Sequence, residues 1–369
     1  MKRKKNILIC PLEWGFGHAG RMIALAERLQ RPDRNIIFGA GEKHLAFIRN
    51  ELPGTDCIRF PGFSPVYSRY LPQYIIIFLQ IPLLLYHSVR EHIMLKGMIA
   101  RHSLDMVISD NRFGLWNRKI TSVYVTHQLR ILFPSCLSFL EFTGVKLHGK
   151  IISRFRWCLV PDLPGEVNLT GRMSHGMKLP ANVRFTGILS RFEVPGPAGC
   201  ISGREKGDIC VILSGPEPQR GILEKKITGI LAAGKRQAVI LGGRPQERVQ
   251  KELMGHITCY SHAGRREMQE IISGSKLIIA RAGYTTIMEL VSLNCTALLI
   301  PTPGQTEQEY LASRLSEKGW FSRISQKDLK NVLPPIPELP GMKNDIMKQS
   351  AVLLEKVLKE ISDEAEIQQ

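Results

Sequence analysis

Short apolar runs alternate with helix-patterned stretches along this chain, and no other feature limits its fold as strongly. Asn6-Ile7-Leu8-Ile9-Cys10 is bounded by charge before it and Pro11 after it. Such a run reads as a strand buried on both faces. Met22, Ile23, Leu25, Ala26 and Leu29 then recur at helical spacing. The pattern continues with a strand at Asn35–Phe38, a helix near residues 42–51, and strands at Asp105–Ser109 and Ser122–Thr126. It restarts beyond the Gly- and Pro-rich stretch 193–207, with strands at Ile209–Leu213, Ala238–Leu241, Leu277–Ala280 and Ala297–Ile300. Strand–helix alternation means crossover connections, hence parallel sheets. At 369 residues the chain is too long for one typical core. The expected architecture is therefore α/β, with two doubly wound domains facing across a cleft. The expected bounds are 1–190 for the first domain, 191–207 for the linker, 208–340 for the second domain, and 341–369 for an amphipathic helix with a frayed acidic tail. There is no close internal repeat, so the symmetry is one of architecture alone.

In such sheets ligands bind at the carboxyl ends of the strands. Gly15, Gly17 and His18 occupy the first of these turns. Glycine lets a backbone approach a ligand, and the following helix offers free N–H groups; a plain tight turn with a solvent-facing histidine is the alternative. Ser214 and Gly215 follow the strand that opens the second half and can present N–H groups and a hydroxyl to a phosphate, although the Gly-Lys-Ser/Thr ending of a P-loop is absent. Arg244 ends the next such turn, Ile240-Leu241-Gly242-Gly243-Arg244. The strongest stretch is 278–315. Gly283, Thr285 and Thr286 open a helix whose N-terminus suits a diphosphate. Glu289 in that helix can accept two ribose hydroxyl hydrogens, or serve as a plain helix-dipole partner. Gln305, Gln308 and Glu309 offer amides and a carboxylate for sugar hydroxyls, or simply a polar helix start. Asp110, Asn111, Arg112 and His127 lie at two strand ends of the first half. They can line an acceptor site, with Asp110 as a second candidate base, or form a salt-bridged loop and a satisfied histidine.

The net charge of +17 is uneven. Residues 1–190 hold 26 Lys and Arg against 12 Asp and Glu, a net of +14; residues 191–369 hold 24 against 21, a net of +3. A basic half calls for an anionic partner, such as a membrane surface or phosphorylated lipid, unless the cations are merely scattered and solvated. No zinc-finger, helix-turn-helix or RNP-type signature accompanies the charge, so nucleic acid is not expected. Residues 75–86 are apolar apart from Gln80 and Pro82, and Arg69 and Arg90 flank them. The run falls short of the roughly 20 residues needed to span a bilayer, and Pro82 breaks a helix there. Contact with an anionic membrane surface is the expectation, with a buried helix pair as the alternative. Eight cysteines without Cys-x-x-Cys or zinc spacing point to reduced thiols, with neither a disulfide frame nor a metal site. Only about five apolar residues follow the basic start, too few for a signal peptide, so a cytoplasmic location is expected.

Arg281, Ala282, Gly283, Thr286, Glu289, Pro301 and Gln308 together resemble the donor-binding signature of GT-B glycosyltransferases. The nearest groups are the UDP-N-acetylglucosamine transferase that makes lipid II and the monogalactosyldiacylglycerol synthases. The resemblance covers residues 6–29 and about 208–315. It implies a GT-B fold of two Rossmann-like domains, a UDP-sugar donor held by the second and an acceptor by the first. It also implies inverting transfer to a hydroxyl or lipid-linked acceptor, with His18 as general base. Departing UDP would be stabilised by Ser214, the helix near Gly283, and Arg191 or Arg244. No cofactor or metal is implied, and no Asp-x-Asp motif is obvious. Two departures matter. Glu309 stands where the lipid II enzyme has a second glutamine, so its sugar is not carried over. The first turn, with His18 and Arg21, is similar to the Gly-x-Gly-His-x-x-Arg pattern of the UDP-sugar hydrolase of pseudaminic acid synthesis. A UDP-sugar hydrolase or epimerase of the same fold, or a catalytically silent UDP-sugar-binding subunit, are the alternatives.

Overall fold

Each apolar run builds a strand, and the stretch after it folds back over the sheet. The computed structural model describes residues 3–67, 73–192, 208–245, 250–253, 255–330 and 345–367. The linker stretch 193–207 and Arg69 lie outside them. The first half runs β1 (Lys5–Cys10), α1 (Phe16–Leu29), β2 (Arg34–Ala40), α2 (Glu42–Glu51), β3 (Asp56–Arg59), α3 (Gln73–Leu79), α4 (Ile81–Arg101), β4 (Leu104–Asp110), β5 (Thr121–Val125), α5 (Glu141–Ile152), β6 (Trp157–Val160) and β7 (Val183–Phe185). The second runs β8 (Ile209–Ile212), α6 (Gln219–Ala232), β9 (Ala238–Leu241), β10 (Gln250–Leu253), β11 (Ile257–Tyr260), α7 (Arg265–Ser273), β12 (Leu277–Ala280), α8 (Tyr284–Ser292), β13 (Leu298–Leu299), α9 (Thr306–Glu317), β14 (Ser322–Arg323) and α10 (Asp345–Ile367).

The first sheet has the order β3-β2-β1-β4-β5-β6-β7 and is parallel throughout. The second has the order β10-β11-β9-β8-β12-β13-β14 and is parallel except for β10, which runs antiparallel to β11. In each sheet the order reverses beside the strand that opens the half. The crevices between β1 and β4 and between β8 and β12 are therefore the two places where a ligand can enter between diverging connections. Both halves are doubly wound, as the alternation requires.

Two elements differ from the simple reading. Helix α10 is not a detached tail. Its Leu354, Val357 and Ile361 pack into the core of the first sheet, while Ile346 joins the core of the second. Arg184 holds Glu360 at 2.9 Å, and Ile188 N–H donates to Ser350 Oγ at 3.0 Å. The last helix of the chain thus straps both domains. The apolar run 75–86 is broken into α3 and α4, with Pro82 in the first turn of α4 where no N–H partner is needed. It does not form a buried pair. Phe78, Leu79, Leu83, Leu85, Tyr86, Val89 and Ile93 are exposed. No helix among the described residues is long and apolar enough to cross a membrane.

Candidate active site

Helix α1 starts at the β1–β4 crevice, and its first turn carries the site. Gly15 caps it with φ 130° and ψ 164°, a conformation that L side chains rarely adopt. A Cβ built on Gly17 would lie 3.1 Å from both Cβ and Oγ1 of Thr285, in the opposite domain. The turn is glycine-rich because it bends sharply at Gly15 and because α8 approaches it closely at Gly17.

His18 follows at once, about one-fifth exposed. Its Nδ1 lies 2.8 Å from Asp110 Oδ2, at the end of β4. Arg21, one turn further along α1 and almost fully buried, grips the same carboxylate through Nε at 3.0 Å and through Nη2. Asp110 is completely buried. Burial alone would raise its pKa, but Arg21 and His18 together bring it down to about 2. Burial, and then the Arg21 charge, hold the His18 imidazole below 6.5, against the pull of Asp110. With Nδ1–H donating to the carboxylate, Nε2 carries the lone pair. No hydrogen bond to Nε2 occurs among the described residues. A neutral imidazole oriented by a buried carboxylate is the arrangement of a general base. Asp110 itself, sealed and ion-paired, is placed to orient the histidine rather than to meet an acceptor.

His127 follows β5, and both its nitrogens are engaged. Nδ1 lies 3.0 Å from Arg21 Nη1, and Nε2 lies 2.8 Å from Glu307 Oε1 of α9. The ring stacks on Tyr284 with centroids 4.1 Å apart and planes 1° from parallel. It is a link between domains and offers no free lone pair. Asn111 adopts φ 52° and accepts from the Tyr124 hydroxyl at 3.0 Å. Arg112 turns away from the cleft: it pairs with Glu91 at 3.0 Å and donates to the carbonyls of Gly39 and Phe60. The salt-bridged loop is what forms at Arg112, and its acceptor-lining role falls.

Across the cleft, Gly283 caps α8, with Ser214 Oγ and Thr286 Oγ1 both close to where its Cβ would be, at 4.0 and 3.8 Å. The N-termini of α1 and α8 have no side-chain cap and no acid in the first turn. Their N–H groups and positive dipole ends therefore meet across the Gly17–Thr285 contact without a built-in anion. Helix α9 differs, because Glu307 and Glu309 occupy its first turn. Gly215, next to Ser214, is exposed at φ 96°.

Several residues expected to touch the donor also hold protein groups. The Arg281 guanidinium is fully buried and donates to the carbonyls of Ile300, Pro301 and Gln219, bracing the end of β13 against the start of α6. Burial lowers its pKa to about 10. Arg191 is clamped between Glu289, at 2.8 Å, and Glu51, at 3.2 Å, and stacks near Phe47 and Phe192. It ties the domain boundary together. Arg244 pairs with Glu224 at 2.6 Å. Glu289 lies in the second turn of α8, 6% exposed, with Oε1 on Arg191. Gln308 Oε1 accepts from Thr302 N–H and Glu309 Oε1 from Gly304 N–H, each at 2.9 Å, so both side chains shape the loop 302–304. Gln305 caps α9 and is half-buried. Arg21, Tyr284 and Glu307 were not among the expected site residues, yet the network runs through them. Arg21 carried a signal in its one-turn spacing from His18, but Glu307 carried none, because its partner is 180 residues away.

Comparison with known proteins agrees with this geometry. Residues 233–361 match the glycosyltransferase family 28 C-terminal domain. Curated relatives include a UDP-N-acetylglucosamine--N-acetylmuramyl-(pentapeptide) pyrophosphoryl-undecaprenol N-acetylglucosamine transferase from Caldanaerobacter subterraneus, 37% identical over 75 residues, which is 20% of each chain. The protein of the same name from Bacillus cytotoxicus is 39% identical over 64 residues, 17% of this chain and 18% of that one. The matched segment thus spans about a fifth of each relative's length. Whole-chain likeness appears among solved structures. The glycotransferase of kitacinnamycin has TM-score 0.59 at 14% identity, covering 98% of this chain and 94% of that one. A UDP-glucosyltransferase from Polygonum tinctorium has TM-score 0.57 at 13% identity, with coverage of 98% and 94%. The chain has the GT-B fold of those glycosyltransferases, and its second half carries the match to the family 28 C-terminal domain.

Proposed function

We propose that this chain is a UDP-sugar-dependent glycosyltransferase in which His18 is the general base. The observation that carries the reading is a juxtaposition. The Asp110-oriented His18, with Nε2 open, stands beside two uncapped helix N-termini and the Ser214 and Thr286 hydroxyls. An acceptor hydroxyl attacks the anomeric carbon as the bond from that carbon to the diphosphate breaks. The proton passes to His18 Nε2, and Asp110 steadies the resulting imidazolium. The diphosphate carries away the electron pair, and the helix N-termini and hydroxyls stabilise its growing charge. Attack from the face opposite the leaving group inverts the anomeric centre. Gln308 keeps its amide N–H₂ for a sugar hydroxyl, since its carbonyl oxygen is taken by the loop. The test is incubation with a panel of UDP-sugars and analysis of the products. Transfer to an added hydroxyl acceptor supports the reading, whereas free sugar alone would make the chain a hydrolase.

Glu289 serves the ribose with Oε2, to which no hydrogen bond occurs among the described residues. Glu289→Ala is expected to weaken UDP binding by about 1–3 kcal/mol, the cost of leaving ribose hydroxyls unpaired in a closed site. Calorimetric titration with UDP checks this, and unchanged affinity would remove Glu289 from the donor site.

The acceptor is lipid-linked and is met at an anionic membrane surface. The apolar face of α3 and α4 supports this, Phe78 being 67% exposed. A second exposed group, Ile131, Phe139, Phe142 and Leu147, lies on and before α5 in the same domain. Both belong to the half with the +14 charge. The names of the curated relatives include an undecaprenol-linked substrate. Each cation near such a surface contributes on the order of 1 kcal/mol. Flotation with anionic liposomes is expected at low salt, weakened by salt and by Phe78→Glu or Leu83→Glu. Failure to float at low salt would leave a water-soluble acceptor.

A further inference from the structure

We propose that His127 and Glu307 are positioning residues, a couple made across the domain boundary that fixes the Arg21 guanidinium and, through it, the tautomer of His18. The inference rests on the assignment of His18 as the base. Glu307 lies in the first turn of α9 in the second domain and His127 follows β5 in the first. Their contact therefore exists only while the domains are closed on one another. The carboxylate is held from two sides, by His127 Nε2 on Oε1 at 2.8 Å and by the Gln128 amide on Oε2. The Tyr284 stack fixes the plane of the His127 ring.

The chemistry of the donors assigns each proton. Arginine has only donors, so His127 Nδ1 must accept from Arg21 Nη1, and His127 Nε2–H must donate to Glu307. At the other end of the guanidinium lies a competition. Arg21 Nη2 reaches both Asp110 Oδ1 and His18 Nδ1, the latter at 2.8 Å. His18 Nδ1 in turn lies 2.8 Å from Asp110 Oδ2. Those contacts to Nδ1 exclude each other. If Nδ1 is protonated, it donates to Asp110, Nη2 serves Oδ1, and Nε2 is the basic nitrogen. If Nδ1 accepts from Nη2, the proton sits on Nε2 and the base is lost. Holding Nη1 on His127 turns Nη2 toward Asp110 and so keeps His18 in the productive form. Opening of the domains releases Nη1 and leaves the guanidinium held by Asp110 alone, free to turn Nη2 from Oδ1 onto Nδ1, which already lies 2.8 Å away. His18 becomes a base when the donor domain has closed.

Long-range proton–nitrogen correlation spectra of the full chain labelled with ¹⁵N-histidine read this directly. His18 and His127 are assigned by the loss of their signals in His18→Gln and His127→Gln. In the wild type His18 is expected as the Nδ1–H tautomer alone. In Glu307→Ala it is expected to become a mixture, with about a third or more as Nε2–H, because the group that set the tautomer is gone. Glu307→Gln keeps an accepting oxygen and is expected to restore the wild-type spectrum. His127→Phe keeps the stack on Tyr284 but deletes both nitrogens, and is expected to match Glu307→Ala even if that variant fails to fold. With a UDP-sugar that the wild type turns over, Glu307→Ala is expected to lower kcat by about 10-fold or more, the scale of a misplaced catalytic group, while KM for the donor stays within about twofold. A His18 that remains wholly Nδ1–H in both Glu307→Ala and His127→Phe would overturn the couple. Absence of turnover by the wild type would overturn the transfer reading instead, and the spectra would still decide the tautomer question.

Discussion

Asp110→Ala is expected to cost about 3–5 kcal/mol of folding stability, the penalty for stripping the partner from a buried charge. Arg21 is only 1% exposed and directs two of its nitrogens at that carboxylate. His127 Nδ1 is neutral and cannot compensate the charge. A loss of this size is a large share of the 5–15 kcal/mol that typically holds a domain together. Urea unfolding followed by circular dichroism measures it, and a change under about 1 kcal/mol, the level of an exposed pair, would mean that Arg21 finds other compensation. The pH dependence follows from the depressed pKa. Aspartate ordinarily titrates at 3.8, and here the folded-state value is about 2. The stabilisation is therefore fully present above pH 4 or so, and it is lost as the pH falls toward 2.

His18→Ala is expected to slow sugar transfer by about 100-fold or more, the usual scale of general acid–base catalysis. UDP affinity is expected to change little, because the proposed donor contacts are the α8 side chains, the loop after β8 and backbone N–H groups of α1, none of which the substitution removes. Burial and Arg21 hold the His18 pKa below 6.5, so the neutral, basic form persists below the usual histidine range. The acid limb of the kcat/KM profile is accordingly expected below pH 6.5, with activity lost as the pH falls through the depressed pKa and retained above it. Turnover within a few-fold of wild type in His18→Ala would remove it as the base.

Periodicity made the doubly wound halves legible, because buried parallel strands such as Ile209–Ile212 are continuous apolar runs. The strands that escaped are short or peripheral: β3 has only two apolar residues in four and lies at a sheet edge, β6, β10 and β11 have four residues each, β7 has three, and β14 has two. Helix α10 was legible as a helix, but its destination was not. Packing against the first sheet is a contact across the whole chain, and no local pattern reports it. The turn at His18 was legible because glycine spacing is local chemistry. The arginines were not. Arg281, Arg191 and Arg244 sit at strand ends or the domain boundary, where a phosphate contact and a structural brace look identical in sequence. Only their carbonyl and carboxylate partners separate the two. Glu307 shows the same limit from the other side. It looks like an ordinary first-turn acid until the fold sets His127 against it.

We propose that the space between α1 and α8 holds a UDP-sugar and that His18 activates the acceptor there. One measurement tests it most directly: UDP release from a panel of UDP-sugars with hydroxyl and lipid-linked acceptors, run on the wild type and on His18→Ala, with product identification and with thermal unfolding in the presence of UDP. A raised melting temperature with UDP is expected for both proteins, since a ligand of the folded state stabilises it. A glycosylated acceptor is expected from the wild type alone. No binding of UDP by either protein, together with no UDP-sugar consumed, would contradict the proposal.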